Sequence, residues 1–217
     1  RLPVGREGLV DLDAARTAID ADTALVAAML VNNEIGVIQP VDVLAEIAQE
    51  AGALFLCDAV QGFGRVALPQ TADMIAITAH KIHGPKGIGA LWLRDSVKLE
   101  PLIHGGGQEQ GLRSGTLSPA LCAGFGAAVK LAAQQADEDA AHVARLRDRA
   151  LELFADWQVN GSLDKRYPGN LNLRHDGLDV ARLMSDVRGV AYSAGSACAS
   201  GSGRPSHVLT ALGLSNS

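Results

Sequence analysis

The sequence has 217 residues, room for one large domain or for one domain and part of a second. Its 19 Lys and Arg against 24 Asp and Glu leave a net charge of −5 with no basic block, which argues against nucleic acid or an anionic membrane as a partner. No apolar run reaches the ~20 residues of a membrane span. The cysteines Cys57, Cys122 and Cys198 are far apart with no CxxC pair, so neither a disulfide framework nor a zinc site is indicated, and a reduced, cytoplasmic protein is expected. Hydrophobic residues make up 47% but aromatics only 4%, which predicts an Ala/Val/Leu/Ile core of helices packed on parallel strands. The chain starts at Arg1 and stops just after an apparent helix, so an internal fragment of a longer protein is expected.

In chain order, Asp11 is placed to cap a helix over 12–19, and 23–30 reads as a short strand. Pro40 opens the next helix at its first position, with Val41, Leu44, Ala45, Ile47 and Ala48 on one face and Gly52 as the stop. Continuous apolar runs at 53–57, 74–79 and 88–93 predict buried strands. Such strands interleaved with a helix predict an α/β sheet covered on both faces. The Gly-rich stretch 104–116 reads as a loop, and Ser118 starts a helical region reaching about residue 157. A charged break is predicted at 136–139, where the composition turns from Ala/Gly to Arg/Asp/Glu. That shift places a domain boundary near 136, giving domains 1–136 and 137–217. A strand at 170–173, a helix at 178–187 and a Ser/Gly/Ala-rich stretch at 193–203 follow.

Ligand-binding residues of parallel α/β sheets gather where strands run out at their carboxyl ends. Asn32-Asn33, Asp58 and His80-Lys81 all fall at such exits. A lysine directly after a buried strand suits Schiff-base chemistry, which needs partial desolvation and a fixed approach to an aldehyde. Asp58, at the end of another buried strand 23 residues earlier, suits the carboxylate that keeps a pyridoxal-phosphate (PLP) ring nitrogen protonated. The plainer alternatives are a solvent-facing strand-end lysine and a turn-capping aspartate. Asn33, Gln61, Thr78 and His80 could hydrogen-bond the ring oxygen and phosphate of such a cofactor, and Arg113-Ser114-Gly115-Thr116 offers a phosphate contact. Cys198 lies among small, flexible residues that cannot bury it, so an accessible, reactive thiol is expected. Cys57 and Cys122 are expected in the core, and His83 and His104 as ordinary loop histidines.

Six segments also carry a resemblance. Val31-Asn32-Asn33-Glu34-Ile35-Gly36, Asp58-Ala59-Val60-Gln61, His80-Lys81-Ile82-His83-Gly84-Pro85-Lys86-Gly87, Gly105-Gly106-Gly107-Gln108-Glu109, Arg113-Ser114-Gly115-Thr116 and Gly195-Ser196-Ala197-Cys198 resemble cysteine desulfurases of the NifS/IscS type. These belong to the class V aminotransferase superfamily of fold-type I PLP enzymes. The resemblance implies a mostly parallel α/β large domain with part of a smaller α+β C-terminal domain. It implies that Lys81 bonds PLP and moves protons, with His80 beside it. Asp58 would pair with the pyridine nitrogen, Asn33 would contact the ring hydroxyl, and Gln61 would hydrogen-bond the cofactor. Thr78 and His80 would hold the phosphate, and Thr116 would reach the phosphate of a partner subunit in a homodimer. L-cysteine would become L-alanine, with sulfur carried as a persulfide on Cys198 to an acceptor protein such as an iron–sulfur scaffold.

The segments depart from the family pattern in Thr78-Ala79, where Ser-Gly is frequent, and in Val60, where Thr or Ala is frequent. Family members also carry an upstream phosphate-binding turn and ring-stacking histidine, and a downstream carboxylate-binding arginine, outside these 217 residues. The other readings are a class V aminotransferase or selenocysteine lyase, for which Cys198 discriminates, and an inactive fragment that only binds partners.

Overall fold

The computed structural model describes residues 1–194 and 206–214, so Cys198 and the rest of the 195–205 stretch lie outside the described residues. Helix α1 (Leu12–Ala18) starts where expected because Asp11 accepts from the N–H groups of Asp13 and Ala14. Strand β1 (Leu25–Met29) leads to helix α2 (Val41–Glu50), which Pro40 precedes as the capping residue. Strands β2 (Leu54–Asp58) and β3 (Met74–Thr78) follow, and β1, β2 and β3 pair in parallel. The next strand, β4 (Gly89–Leu93), closes the order β1-β2-β3-β4 antiparallel to β3.

The apolar strands bury one face more than the other. Val26, Phe55 and Cys57 are buried and pack with Leu44, Ala45 and Ala48 of α2, with Phe55 and Cys57 fully enclosed. On the opposite face Leu25, Leu54 and Leu91 remain 49%, 37% and 47% exposed. The expected cover on both faces is therefore absent among the described residues, because α1 and α2 occupy only one side of the sheet. Continuous apolar strands report two buried faces in the finished molecule, not which segment covers each.

Helix α3 (Pro119–Leu153) starts after Ser118 and runs without the interruption expected at 136–139. Ala136-Asp137-Glu138-Asp139-Ala140 contains neither Gly nor Pro, and charges on a solvated face do not stop a helix. Near its start, Phe125 and Ala128 pack on Ala79 and Ile82, so α3 buttresses the turn that holds Lys81. Beyond this contact much of the helix is bare, and Cys122 is exposed. Its core placement is thus corrected: an Ala/Gly-rich neighbourhood signals close packing only if a partner element lies on that face.

The short strands β5 (Gln158–Val159) and β6 (Leu173–Arg174) pair antiparallel, and the loop between them folds back onto the residues that follow β1. Helices α4 (Val180–Asp186) and α5 (His207–Ala211) are capped by Asp179 and Ser206. Just after α5, Leu212 is buried against Ile35 and Val37. Among the described residues no helix is long and apolar enough to cross a membrane, and no group of three or more His, Cys, Asp or Glu is placed to hold a metal.

Candidate functional site

Parallel pairing puts the carboxyl ends of β1, β2 and β3 on one edge of the sheet. Met29 is opposite Asp58 and Asp58 is opposite Ala76, two residues before Thr78. Beyond β1 the chain turns tightly: Asn32 Oδ1 accepts from the N–H groups of Glu34 and Ile35, and Gly36 takes a φ of +69°. This turn leaves Asn33 exposed at the strand exit. The β5–β6 loop clamps it from outside. Asn170 Nδ2 donates to Asn33 O (3.2 Å), Asn172 Nδ2 to Glu34 O (3.1 Å), and the Tyr167 N–H to Gly36 O (2.9 Å). A Cβ on Gly36 would stand 2.8 Å from Asn170 Cβ, so only glycine lets the two segments meet this closely.

The clamp is organised by Arg166, only 4% exposed. Its guanidinium donates to the carbonyls of Ser162 (2.9 Å), Asn170 (3.3 Å) and Asn160. Burial pulls its pKa down to about 10, with a smaller contribution from Arg147. Glu34, buried next to Asn33, accepts a 2.5 Å hydrogen bond from Ser206 Oγ at the head of α5. The turn after β1 is thereby tied to the first described residue beyond the Cys198 stretch.

At the end of β2, Asp58 is exposed, and its Oδ1 accepts from the Val60 N–H (3.0 Å). It serves as a turn cap while Oδ2 has no hydrogen-bond partner among the described residues, so the capping reading and the site reading are compatible. Cys57, directly before it, is fully buried, and its thiol is pushed up to about 12 by burial and then by the charges of Asp58 and Asp42. Such a thiol stays protonated and is a core group, as expected.

Beyond β3 the chain forms a single 3₁₀ turn, Ala79–Ile82, ended by His83 in the left-handed region at φ 64°. Ala79 and Ile82 face inward, which leaves His80 exposed and Lys81 half-buried at the sheet edge. His80 Nδ1 is 3.0 Å from Thr78 Oγ1, which also donates to Ile88 O at 3.3 Å. Lys81 forms no ion pair among the described residues, so its amine is not tied to a carboxylate there.

Gln61 joins these exits through a residue that motif reading does not single out. Arg65 Nη1 donates to Gln61 Oε1 (3.2 Å) and Gln61 O (3.3 Å), and Nη2 donates to Lys81 O (2.6 Å). The guanidinium lies 5.4 Å from the centroid of the Tyr167 ring. Thr116 is exposed on the connection between β4 and α3, and no hydrogen bond links it to the strand exits. In the same connection the buried Ser114 accepts from the Gly107 N–H, and Arg113 Nη1 donates to Ser114 O. The guanidinium expected to face a phosphate is thus turned onto its own loop.

The aminotransferase class-V pattern matches residues 1–215. The chain belongs to this family. Over 220 residues it is 46% identical to the mitochondrial cysteine desulfurase of Saccharomyces cerevisiae, covering 98% of this chain and 44% of that protein. Among solved structures, a NifS-like protein superposes with a TM-score of 0.85 at 32% identity, over 99% of this chain and 58% of the other. SspA in complex with cysteine gives 0.81 at 34% identity, over 99% and 61%. The α/β, fold-type I assignment follows. The chain spans about half the length of the curated relatives it matches.

Class V aminotransferases and cysteine desulfurases depend on PLP, and the residues present fit that group. Among the described residues, an open carboxylate oxygen at the end of β2 suits the ring nitrogen, an amine without an ion pair after β3 suits the aldehyde, and the Thr78–His80 pair suits an anion.

Proposed function

We propose that the protein acts as a cysteine desulfurase, taking sulfur from L-cysteine and releasing L-alanine. The observation that carries this reading is the placement of Asp58 and Lys81 at the carboxyl exits of the adjacent parallel strands β2 and β3. The names of the relatives support it.

Bound at this edge, PLP supplies the electron sink for the substrate's carbon skeleton. Lys81 would hold the cofactor through its amine and, when its amine is free, would move the substrate's α-proton. Asp58 keeps the ring nitrogen protonated by its negative charge. Asn33 and Gln61 address the ring oxygen, and Thr78 and His80 the phosphate. The Cys198 thiolate attacks the substrate sulfur: a sulfur–sulfur bond forms, the carbon–sulfur bond breaks, and its electron pair stays on the carbon that is later protonated to give alanine. The charge-poor, small-residue surroundings of Cys198 in the sequence suit a thiol that must travel.

The reading extends to a homodimer in which the exposed Thr116 reaches the partner's phosphate. Residues 1–136 form part of the cofactor domain and 137–217 part of a smaller one, with α3 spanning both. The persulfide sulfur passes to an acceptor such as an iron–sulfur scaffold. The test is Cys198→Ser in the purified holoprotein given L-cysteine. Protein-bound sulfane sulfur should vanish while the cofactor's visible absorbance is retained; sulfane sulfur at the native level would contradict the assignment.

A further inference from the structure

We propose that Arg65 is a positioning residue of this site: it turns the donor end of the Gln61 amide toward the cofactor's ring oxygen and pins the turn that carries Lys81. The inference rests on the PLP reading above and names a residue outside that reading.

A guanidinium has N–H donors and no acceptor, so the atom of Gln61 that faces Arg65 must be the carbonyl oxygen. That contact is 3.2 Å and comes from Nη1. The Gln61 NH₂ is thereby directed away from Arg65. Left free, an amide at an exposed edge can rotate by half a turn and present its oxygen instead, which would repel an electron-rich ring oxygen. Arg65 removes that alternative. With its other arm, Nη2 donates to Lys81 O at 2.6 Å, so one planar fork couples a side chain after β2 to the backbone after β3. The Tyr167 ring stacked on the guanidinium orients the fork. Arg65 has no carboxylate partner among the described ion pairs, so its hydrogen bonds go to these two site segments.

The consequence is spectroscopic. A donor on the ring oxygen draws off the charge that otherwise holds the proton shared with the Lys81 nitrogen. Losing the donor raises the pH midpoint of the cofactor's visible absorbance change. One neutral hydrogen bond is worth about 0.5–1 pH unit on that scale.

The experiment follows this midpoint in the holoprotein for Arg65→Met, Gln61→Ala and the double variant. The midpoint should rise by about 0.5–1 unit in each single variant, and the double variant should shift no further than Gln61→Ala alone. Gln61→Glu keeps Arg65 and replaces the donor by an acceptor; it should raise the midpoint as well, and it covers the case in which Arg65→Met does not fold. An unmoved midpoint in Arg65→Met or Gln61→Glu, or additive shifts in the double variant, would overturn the role given to Arg65. Failure of the native protein to take up PLP would instead refute the cofactor reading and the inference with it.

Discussion

Replacing Arg166 by Met probes the clamp that fixes Asn33. Methionine can fill the space of the aliphatic stem but satisfies none of the carbonyls of Asn160, Ser162 and Asn170, which accept from the buried guanidinium. Each carbonyl left without a donor costs about 1–1.5 kcal/mol. Part of this is offset because a desolvated charge, whose strain is visible in a pKa pulled down to about 10, is removed. The net loss is about 2–3 kcal/mol, or roughly 4–12 °C in melting temperature for a chain of this size. Arg166→Lys keeps the charge but reaches fewer carbonyls, so it should fall between the native protein and Met. The loosened loop also releases the hydrogen bonds from Asn170 and Asn172 to Asn33 and Glu34, so PLP affinity should drop in the same order. Thermal unfolding with a parallel PLP titration measures both. A melting shift below about 2 °C with native affinity would show that the carbonyls rehydrate freely and that the clamp does not position the turn.

Three further outcomes are expected. Cys57 ionises near 9 when unfolded but is held up to about 12 when folded, so its contribution is complete below pH 9 and is lost as pH rises from about 9 to 12. Urea unfolding over that range should show a falling stability that Cys57→Ala flattens, from a lower starting value. Gly84→Ala would push a methyl to 3.0 Å from both Ala79 Cβ and Ala79 O and 3.1 Å from Ala128 Cβ, none of which can swing away. A loss of about 1–3 kcal/mol and weaker cofactor retention should follow, read by melting and by dialysis of the holoprotein. Ser206→Ala removes both the cap of α5 and the donor to buried Glu34, so about 1–2 kcal/mol should be lost in chemical denaturation.

Much of the sheet edge is legible in the sequence because it depends on local signals. Short apolar runs that stop at Asp58 and at His80-Lys81 report strands and their exits, and Asp11 and Pro40 mark helix starts that the fold keeps. What is not legible depends on segments far apart in the chain. Nothing near Cys122 reveals that its side of α3 lacks a partner among the described residues, and the acidic run at 136–139 breaks the composition without breaking the helix. The antiparallel direction of β4 is hidden because an apolar strand looks alike in either sense. Arg166 and Asn170 act on Asn33 across more than a hundred residues. Arg65 is a nearer miss: a cation four residues after Gln61 is visible, but its second contact, at Lys81 O, exists only once β2 and β3 lie side by side.

In the proposed function Lys81 is the lysine that bonds the cofactor. Borohydride reduction of the holoprotein, followed by proteolysis and mass mapping, should place the reduced pyridoxyl group on Lys81, and Lys81→Ala should carry none. A label on Lys86 or on another lysine, or an equal label in Lys81→Ala, would rule out Lys81 as the cofactor lysine.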